Sequence, residues 1–204
     1  MYRPQRFKVD DIDLLKELII NYPLGTLVSN HEGGIMMNYL PFLLEEEDGK
    51  LILTAHLARM NPHTKLLGDA PVLVSFQGPD RYISPSWYKT TNQVPTWNYT
   101  AVQVRGKASL IQDSQEVDLI LDRSTIQFEK SNQTNWQYKT PEEQRHKLLQ
   151  HIVGLKIQIE SIDGKFKLNQ NRESEDFKSV CDNLKKSSLT PDHEMLDIML
   201  RTSK

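Results

Sequence analysis

The sequence of 204 residues contains a single cysteine and no long apolar run. One thiol, Cys181, cannot form an internal disulfide, and no spacing around it suggests a zinc knuckle. The apolar runs are far shorter than the roughly 20 residues that a membrane-spanning helix needs. The first residues, MYRPQRFKVDD, also lack the apolar stretch of a signal peptide. These absences predict a soluble, cytoplasmic protein.

An excess of charge of one sign is also missing. The chain has 25 basic and 27 acidic residues, a formal net charge of −2. It therefore offers no general attraction to nucleic acid or to an anionic membrane. The hydrolase motifs G-x-S-x-G and H-E-x-x-H are absent, and His56 and His63 have no clear third ligand for a metal or haem. We therefore predict no catalytic side chain and no metal site.

Hydrophobic spacing predicts one helix, then strands, then helices between and after the strands. Residues 10–22 have helical spacing and end before Pro23. Runs at 24–30, 35–44 and 51–55, joined by short polar turns, predict an antiparallel meander. Further strands are predicted at 72–76, 99–110 and 153–159, and further helices at 114–128, 141–152, 173–186 and 191–201. Residues 129–140 are polar and predict a disordered loop.

This pattern predicts an antiparallel, mainly β protein with peripheral helices, an α+β fold. Six or more strands with turn signals favour a closed or nearly closed barrel, because an open sheet of this length leaves edges that need protection. A parallel βαβ arrangement is disfavoured, since no helix separates the first three strands and each parallel crossover needs about a dozen residues.

The segment 76–99, FQGPDRYISPSWYKTTNQVPTWNY, is the most distinctive part of the chain. Six of the sixteen aromatic residues and three of the ten prolines lie here. Prolines stiffen the backbone and aromatic rings offer flat surfaces, so the segment suits stacking on a planar ring. Packing over a barrel end or a dimer interface is the alternative, and residue types alone favour it.

Two further stretches are rich in hydrogen-bond donors. The segment 55–65, AHLARMNPHTK, turns from a strand into a short helix with Pro62 near its start. Its His56, Arg59, His63 and Lys65 suit a phosphate, although a solvated basic turn explains them equally well. The segment 165–172, KFKLNQNR, follows a predicted turn at Gly164, and a hydrophilic exit from the last strand is the simpler explanation.

Seven blocks in sequence order resemble the PaiB family of protease synthase and sporulation regulators, also described as FMN-binding negative transcriptional regulators. The blocks are PLGTLVS (23–29), LPFLL (40–44), HLARMNP (56–62), FQGPDRYISPSWY (76–88), VPTWNY (94–99), IVGLKIQI (152–159) and KLNQNR (167–172). The resemblance covers roughly residues 1–185. The chain departs from the family's usual residues at Ala55, Tyr39, Asn169 and Thr64.

The resemblance implies an FMN-binding split β-barrel over 1–172, with a C-terminal helical appendage, 173–204, packed on it. It also implies a homodimer with the flavin at the subunit interface. The cofactor-binding residues implied are His56, Arg59, Asn61 and Lys65 for the phosphate; Pro41, Trp97, Asn98 and Tyr99 for the ring; and Lys167, Gln170 and Asn171 reaching over from the partner subunit's last strand.

Three functions follow from this resemblance. The first is a flavin-binding transcriptional regulator of protease and sporulation genes. The second is a flavin-dependent oxidoreductase or flavin reductase, which needs no side-chain catalyst because the flavin carries the electrons. The third is a dimeric scaffold without a cofactor. Direct DNA binding by the C-terminal helix pair is disfavoured by its few basic residues.

Overall fold

The computed structural model describes residues 1–134, 136–137 and 139–202. Asn135 and Tyr138, which belong to the predicted disordered loop, lie outside the described residues. Within the described chain the strands number eight. They are β1 (Lys8–Val9), β2 (Leu24–His31), β3 (Gly34–Pro41), β4 (Leu43–Glu47), β5 (Lys50–Ala58), β6 (Ala70–Ile83), β7 (Thr96–Ile111) and β8 (Ile152–Lys167).

The strands form one sheet of hydrogen-bonded neighbours in the order β3-β2-β6-β7-β8-β5-β4, and β1 pairs with β8. The pairings of β2 with β3 and β6, of β5 with β4 and β8, and of β1 with β8 are antiparallel. The prediction of a mainly antiparallel fold is therefore confirmed.

The predicted meander of the first three strands is wrong in its connectivity. The single strand expected at 35–44 is interrupted at Phe42, whose backbone N–H donates to the carbonyl oxygen of Pro23 at 2.9 Å. The part before Phe42 pairs with β2, whereas the part after it pairs with β5. Phe42 is fully buried, so its side chain anchors the crossing from one pairing to the other.

The described residues also form five helices: α1 (Ile12–Asn21), α2 (Ser114–Ser131), α3 (Glu142–Leu149), α4 (Ser174–Lys186) and α5 (Thr190–Thr202). The Asp11 side chain caps α1 by accepting from the N–H groups of Asp13 and Leu14. A short 3₁₀ helix, Pro62–Leu66, follows β5 and begins at a proline as predicted. No helix of the described chain is both long and apolar enough to span a bilayer.

The chain divides into two compact units, and β6, β7 and β8 contribute residues to both. The first unit contains Met1–Tyr22, Gln77–Gln103 and Asp163–Lys204, and the second contains Pro23–Phe76 and Val104–Ile162. The separate helical appendage predicted at 173–204 stays a prediction.

Each unit has its own buried apolar side chains. In the first unit, α1, α4 and α5 contribute fully buried groups, among them Ile19, Val180 and Met195. In the second unit, Phe42 and Phe76 meet edge to face with ring centroids 5.8 Å apart. Burial of such side chains contributes about 1.5–3 kcal/mol each, so both units have substantial cores.

Gly164 does not form the turn predicted before the segment 165–172. It lies inside β8, opposite Val9 of β1. A Cβ atom at Gly164 would lie 2.2 Å from Cδ2 of the buried Leu15 and 3.1 Å from the carbonyl oxygen of Val9, so glycine here allows close packing against α1 and β1 rather than a turn. The last strand therefore continues to Lys167, and the stretch 165–167 is extended.

Candidate functional site

The residues implied for the phosphate lie at the end of β5 and in the turn that follows, within the second unit. The strand continues to Ala58, beyond its predicted end at residue 55, because residues 52–58 pair with 152–158 of β8. His56 is therefore a strand residue with a half-buried side chain. Arg59 and Lys65 are exposed, and Asn61 caps the 3₁₀ helix.

Arg59 is bound by three successive carbonyl oxygens of the chain. Its backbone N–H donates to His151 at 2.8 Å, Nε donates to Gln150 at 2.9 Å, and Nη2 donates to Ile152 at 2.8 Å. Nη1 donates to the side chain of Gln112 at 2.6 Å. A guanidinium has five N–H donors, so two remain for another acceptor.

A chain of hydrogen bonds with a defined direction fixes the turn after β5. The backbone N–H of His63 donates to Oδ1 of Asn61 at 3.0 Å, so the amide group of Asn61 donates to Oδ1 of Asn38 at 2.9 Å. Nδ2 of Asn38 then donates to Nδ1 of His63 at 2.6 Å. Nε2 of His63 must carry the proton and donate to the Ser29 hydroxyl at 2.6 Å. Oγ of Ser29 also lies 2.5 Å from Nε2 of His31, within hydrogen-bond distance.

This direction excludes His63 as a general base for Ser29, because the nitrogen that faces the hydroxyl is already protonated. The burial of His63 also changes the charge expected for the turn, where this residue was predicted to be a cation. His63 is fully buried, and burial, assisted by the nearby His31, lowers its pKa. Burial also lowers the pKa of His56. At neutral pH the positive charge of the turn therefore comes from Arg59 and Lys65.

The residues implied for the ring lie on β7 in the first unit, apart from Pro41, an exposed residue that ends β3 in the second. Trp97 is 53% exposed, and Tyr82 meets it edge to face with ring centroids 6.0 Å apart. Asn98 faces the opposite way, because neighbouring strand residues alternate between faces. It is fully buried, and its amide lies 3.5 Å from the sulfur of Met199.

Cationic side chains lie beside this aromatic surface. Nζ of Lys167 donates to the carbonyl oxygen of Trp97 at 2.8 Å, and Nζ of Lys165 lies 5.3 Å from the ring centre of Tyr99. Burial, with repulsion from Lys165 and Arg172, lowers the pKa of Lys167. Sequence reasoning missed Lys165 as a site residue, although its spacing of two from Lys167 on a strand places both on one face.

Gln170 and Asn171 differ in whether their side chains are available to a ligand. Gln170 accepts from the N–H of Leu168 and donates to the carbonyl oxygen of Phe166, each at 2.6 Å, so its side chain closes the end of β8. Asn171 is exposed. Both lie in the first unit with Lys167.

Asp176 of α4 holds the loop that precedes β7, and sequence reasoning missed it. Its carboxylate accepts from the N–H of Lys89 at 2.7 Å, and from the N–H and hydroxyl of Thr90 at 3.0 and 2.5 Å. These hydrogen bonds, above all that of the Thr90 hydroxyl, lower the pKa of Asp176. No pattern marks a buried carboxylate in an otherwise ordinary helix N-terminus, so the sequence contains no signal for this role.

Each unit, taken by itself, contains side chains of a kind that a flavin mononucleotide requires. Its phosphate needs cationic or N–H donors, and the second unit offers two free N–H groups of Arg59 together with Lys65. Its ring needs a flat, partly apolar surface, and the first unit offers the exposed face of Trp97 beside lysine donors. Asn61 fits less well as a direct ligand, because both atoms of its amide are already hydrogen-bonded.

Comparisons with known proteins agree with this chemistry. The family model described as "Putative FMN-binding domain" matches residues 1–161. Protease synthase and sporulation protein PAI 2 of Bacillus subtilis (strain 168) is 35% identical over 205 residues, which cover 98% of this chain and 96% of that protein.

Solved structures establish the split-barrel fold. The flavocytochrome Anf3 from Azotobacter vinelandii superposes with a TM-score of 0.60 at 14% identity, over 81% of this chain and 72% of that one. The FAD and heme binding protein from Mycobacterium smegmatis superposes with a TM-score of 0.58 at 18% identity, over 78% and 73%. This chain therefore belongs to the PaiB family of FMN-binding split-barrel proteins.

Proposed function

We propose that this protein binds FMN in its split barrel and acts as a transcriptional regulator of the PaiB type. The observation that carries the proposal is the 35% identity to protein PAI 2 over 98% of the chain. The side chains of each unit support it separately: the second unit has cationic groups suited to a phosphate, and the first has an exposed aromatic face suited to a flavin ring.

Arg59 and Lys65 would hold the phosphate, and Trp97 and Tyr99 would support the ring. Lys167 would add a donor from the last strand. FMN supplies hydride or single-electron transfer wherever it is bound, so the alternative of a flavin-dependent oxidoreductase rests on the same site. The chain's own contribution is to bind the phosphate, orient the ring and shield it from water.

A second copy of this chain is the partner that we propose. Alternate residues of β3 point outward as an apolar row: Ile35 is 76% exposed, Met37 52% and Tyr39 64%. Three large apolar side chains on one strand face are typical of an interaction surface. This row supports a homodimer, with the flavin at the subunit interface.

The C-terminal helices do not favour direct reading of DNA. α5 presents the exposed carboxylates of Glu194 and Asp197, and its single arginine, Arg201, is paired with Glu17, so this helix offers little attraction to phosphates. We therefore propose that the regulatory effect depends on the flavin rather than on a recognition helix. We also propose a cytoplasmic location, where both FMN and a transcriptional target are present.

Titration of the purified, flavin-free protein with FMN and with riboflavin tests the proposal. We expect FMN to bind and to show a perturbed flavin absorption spectrum, with riboflavin binding more weakly because it has no phosphate. Absence of binding at millimolar FMN would leave only the cofactor-free scaffold. Steady NAD(P)H oxidation by the FMN-loaded protein would favour the oxidoreductase, and salt-resistant, sequence-specific DNA binding lost on deletion of 173–204 would favour direct regulation.

A further inference from the structure

A pocket of about 350 Å³ lies in the second unit, on the side of β5 and β8 where α2 and α3 pack. Its wall is formed by His56, Leu121, Asp122, Thr125, Arg145, Leu148, Leu149, His151 and Ile152. An apolar cavity of roughly 150 Å³ admits benzene, so this pocket has room for a bicyclic molecule. None of the residues implied for the flavin ring belongs to its wall, whereas His56, which the resemblance implied for the phosphate, does.

The wall is apolar on most sides and carries a negative charge at one edge. Arg145 donates to Asp118 and to Asp122, each at 2.5 Å, so two carboxylates face one guanidinium. The hydroxyl of Thr125 is bound to the carbonyl oxygen of Leu121 at 2.9 Å. The charge disfavours an anionic occupant, and the aliphatic side chains favour an apolar one.

Two imidazole rings in this wall, those of His56 and His151, make no side-chain hydrogen bond with the described part of the chain; His151 is exposed, whereas His56 is half-buried. The nitrogens of the His56 ring are therefore available to a molecule in the pocket. Burial lowers the pKa of His56, so the ring is neutral and offers one N–H donor and one acceptor nitrogen. Because the rest of the wall is mainly apolar, a hydrogen bond to this ring would orient the occupant.

We propose that this pocket binds a neutral, flat, mainly apolar molecule of about the size of a bicyclic heteroarene, held by a hydrogen bond to the ring of His56. An N–H or O–H on the molecule donates to the acceptor nitrogen of that imidazole. The occupant is chemically unlike FMN, because the paired carboxylates of Asp118 and Asp122 repel a phosphate.

The pocket lies beside the segment that accepts hydrogen bonds from Arg59, so its occupant can influence how firmly Arg59 is held. That residue binds the carbonyl oxygens of residues 150, 151 and 152, and His151 and Ile152 also line the pocket. A molecule that orders this segment also orders the acceptors of Arg59. This consequence depends on the proposed FMN site, whereas binding to the pocket does not.

The test measures the binding of three probes to the full-length, flavin-free protein. Calorimetry gives the affinity, and the NMR signals of the His56 ring report contact with that residue. The probes are indole, benzofuran, which has the same shape without the N–H donor, and the anion benzoate. We expect indole to bind, to shift the His56 signals, and to bind about 10-fold more tightly than benzofuran, the scale of one hydrogen bond. Benzoate should bind more weakly than either.

Two variants identify the site. His56→Phe keeps an aromatic ring but removes both nitrogens, so we expect indole and benzofuran to bind equally. Thr125→Trp places an indole ring in the pocket and should abolish binding of both; if it fails to fold, Leu121→Trp serves the same purpose. The proposal is overturned if indole does not bind at millimolar concentration, if benzoate binds as tightly as indole, or if His56→Phe retains the preference for indole. Since no flavin is present, none of these results depends on the FMN proposal.

Discussion

Asn38 donates a hydrogen bond from Nδ2 to Nδ1 of His63 across 2.6 Å. Because Nδ1 is then an acceptor, His63 must be protonated at Nε2. We expect ¹⁵N NMR at neutral pH to show this tautomer. In the Asn38→Asp variant a carboxylate replaces the donor, so Nδ1 should become protonated. A wild-type spectrum with the proton on Nδ1 would contradict the direction of the whole chain of hydrogen bonds.

The same buried ring makes stability depend on pH. Burial and the nearby His31 lower the pKa of His63 in the folded protein, so between its folded pKa and the unfolded value of about 6.5 the unfolded chain binds more protons. Stability should therefore be fully present above that unfolded value and fall as pH decreases through the folded pKa. Urea unfolding at a series of pH values measures the fall, and His63→Gln should make it shallower. An equally steep fall in the variant would assign the effect to other groups, such as His56.

Much of this fold is predictable because its signals are local. The alternation of apolar and polar residues at 153–159 marks β8, and Pro62 after Asn61 marks the start of the 3₁₀ helix. The break at Phe42 was not predictable, because a hydrogen bond to Pro23, distant in sequence, creates it. The wrong prediction at Gly164 has a similar cause, since close packing against α1 and β1 explains the glycine there.

The candidate site was predictable by residue type but not by hydrogen bonding. The segment around Arg59 was identified from its donors. Nothing in the sequence, however, indicates that the carbonyl oxygens of residues 150–152 accept hydrogen bonds from Arg59. Likewise, His63 has the pattern of an exposed cation and is a buried neutral ring. Contacts between segments far apart in the chain decide both cases.

Arg59→Ala should weaken FMN binding by about 1.5–3 kcal/mol, the usual scale for a hydrogen bond to a charged group. Riboflavin affinity should barely change, because riboflavin has no phosphate. Since Arg59 also bonds to Gln150, Ile152 and Gln112, thermal unfolding must first show that the variant is folded at the titration temperature. Lys50→Ala, which removes an exposed charge at the other end of β5, is the control and should leave FMN binding unchanged. Equal losses for FMN and riboflavin would show that Arg59 does not bind the phosphate.

Trp97→Leu should weaken FMN and riboflavin binding equally, by about 1 kcal/mol, the scale of an aromatic ring contact. The two flavins share the ring, and Trp97 is the exposed aromatic residue proposed to support it. Fluorescence titration of both flavins measures the loss. Trp136→Leu is a matched control, because Trp136 is 55% exposed and belongs to the second unit. An effect on FMN alone, or an equal effect of the control, would argue against a ring contact at Trp97.

Gly106→Ala should destabilise the fold by about 2–3 kcal/mol, the cost of overpacking a rigid site. A Cβ atom there would lie 2.1 Å from the carbonyl oxygen of Gln158 and 2.9 Å from Cγ2 of Ile157. Both atoms belong to β8, so relief requires β7 and β8 to move apart. Gly33→Ala is the control, because its Cβ meets nothing within 4 Å and the change should alter stability by less than about 0.5 kcal/mol. Urea unfolding of the two variants measures the difference, and a Gly106→Ala protein as stable as the control would mean that these strands are not held as closely as described.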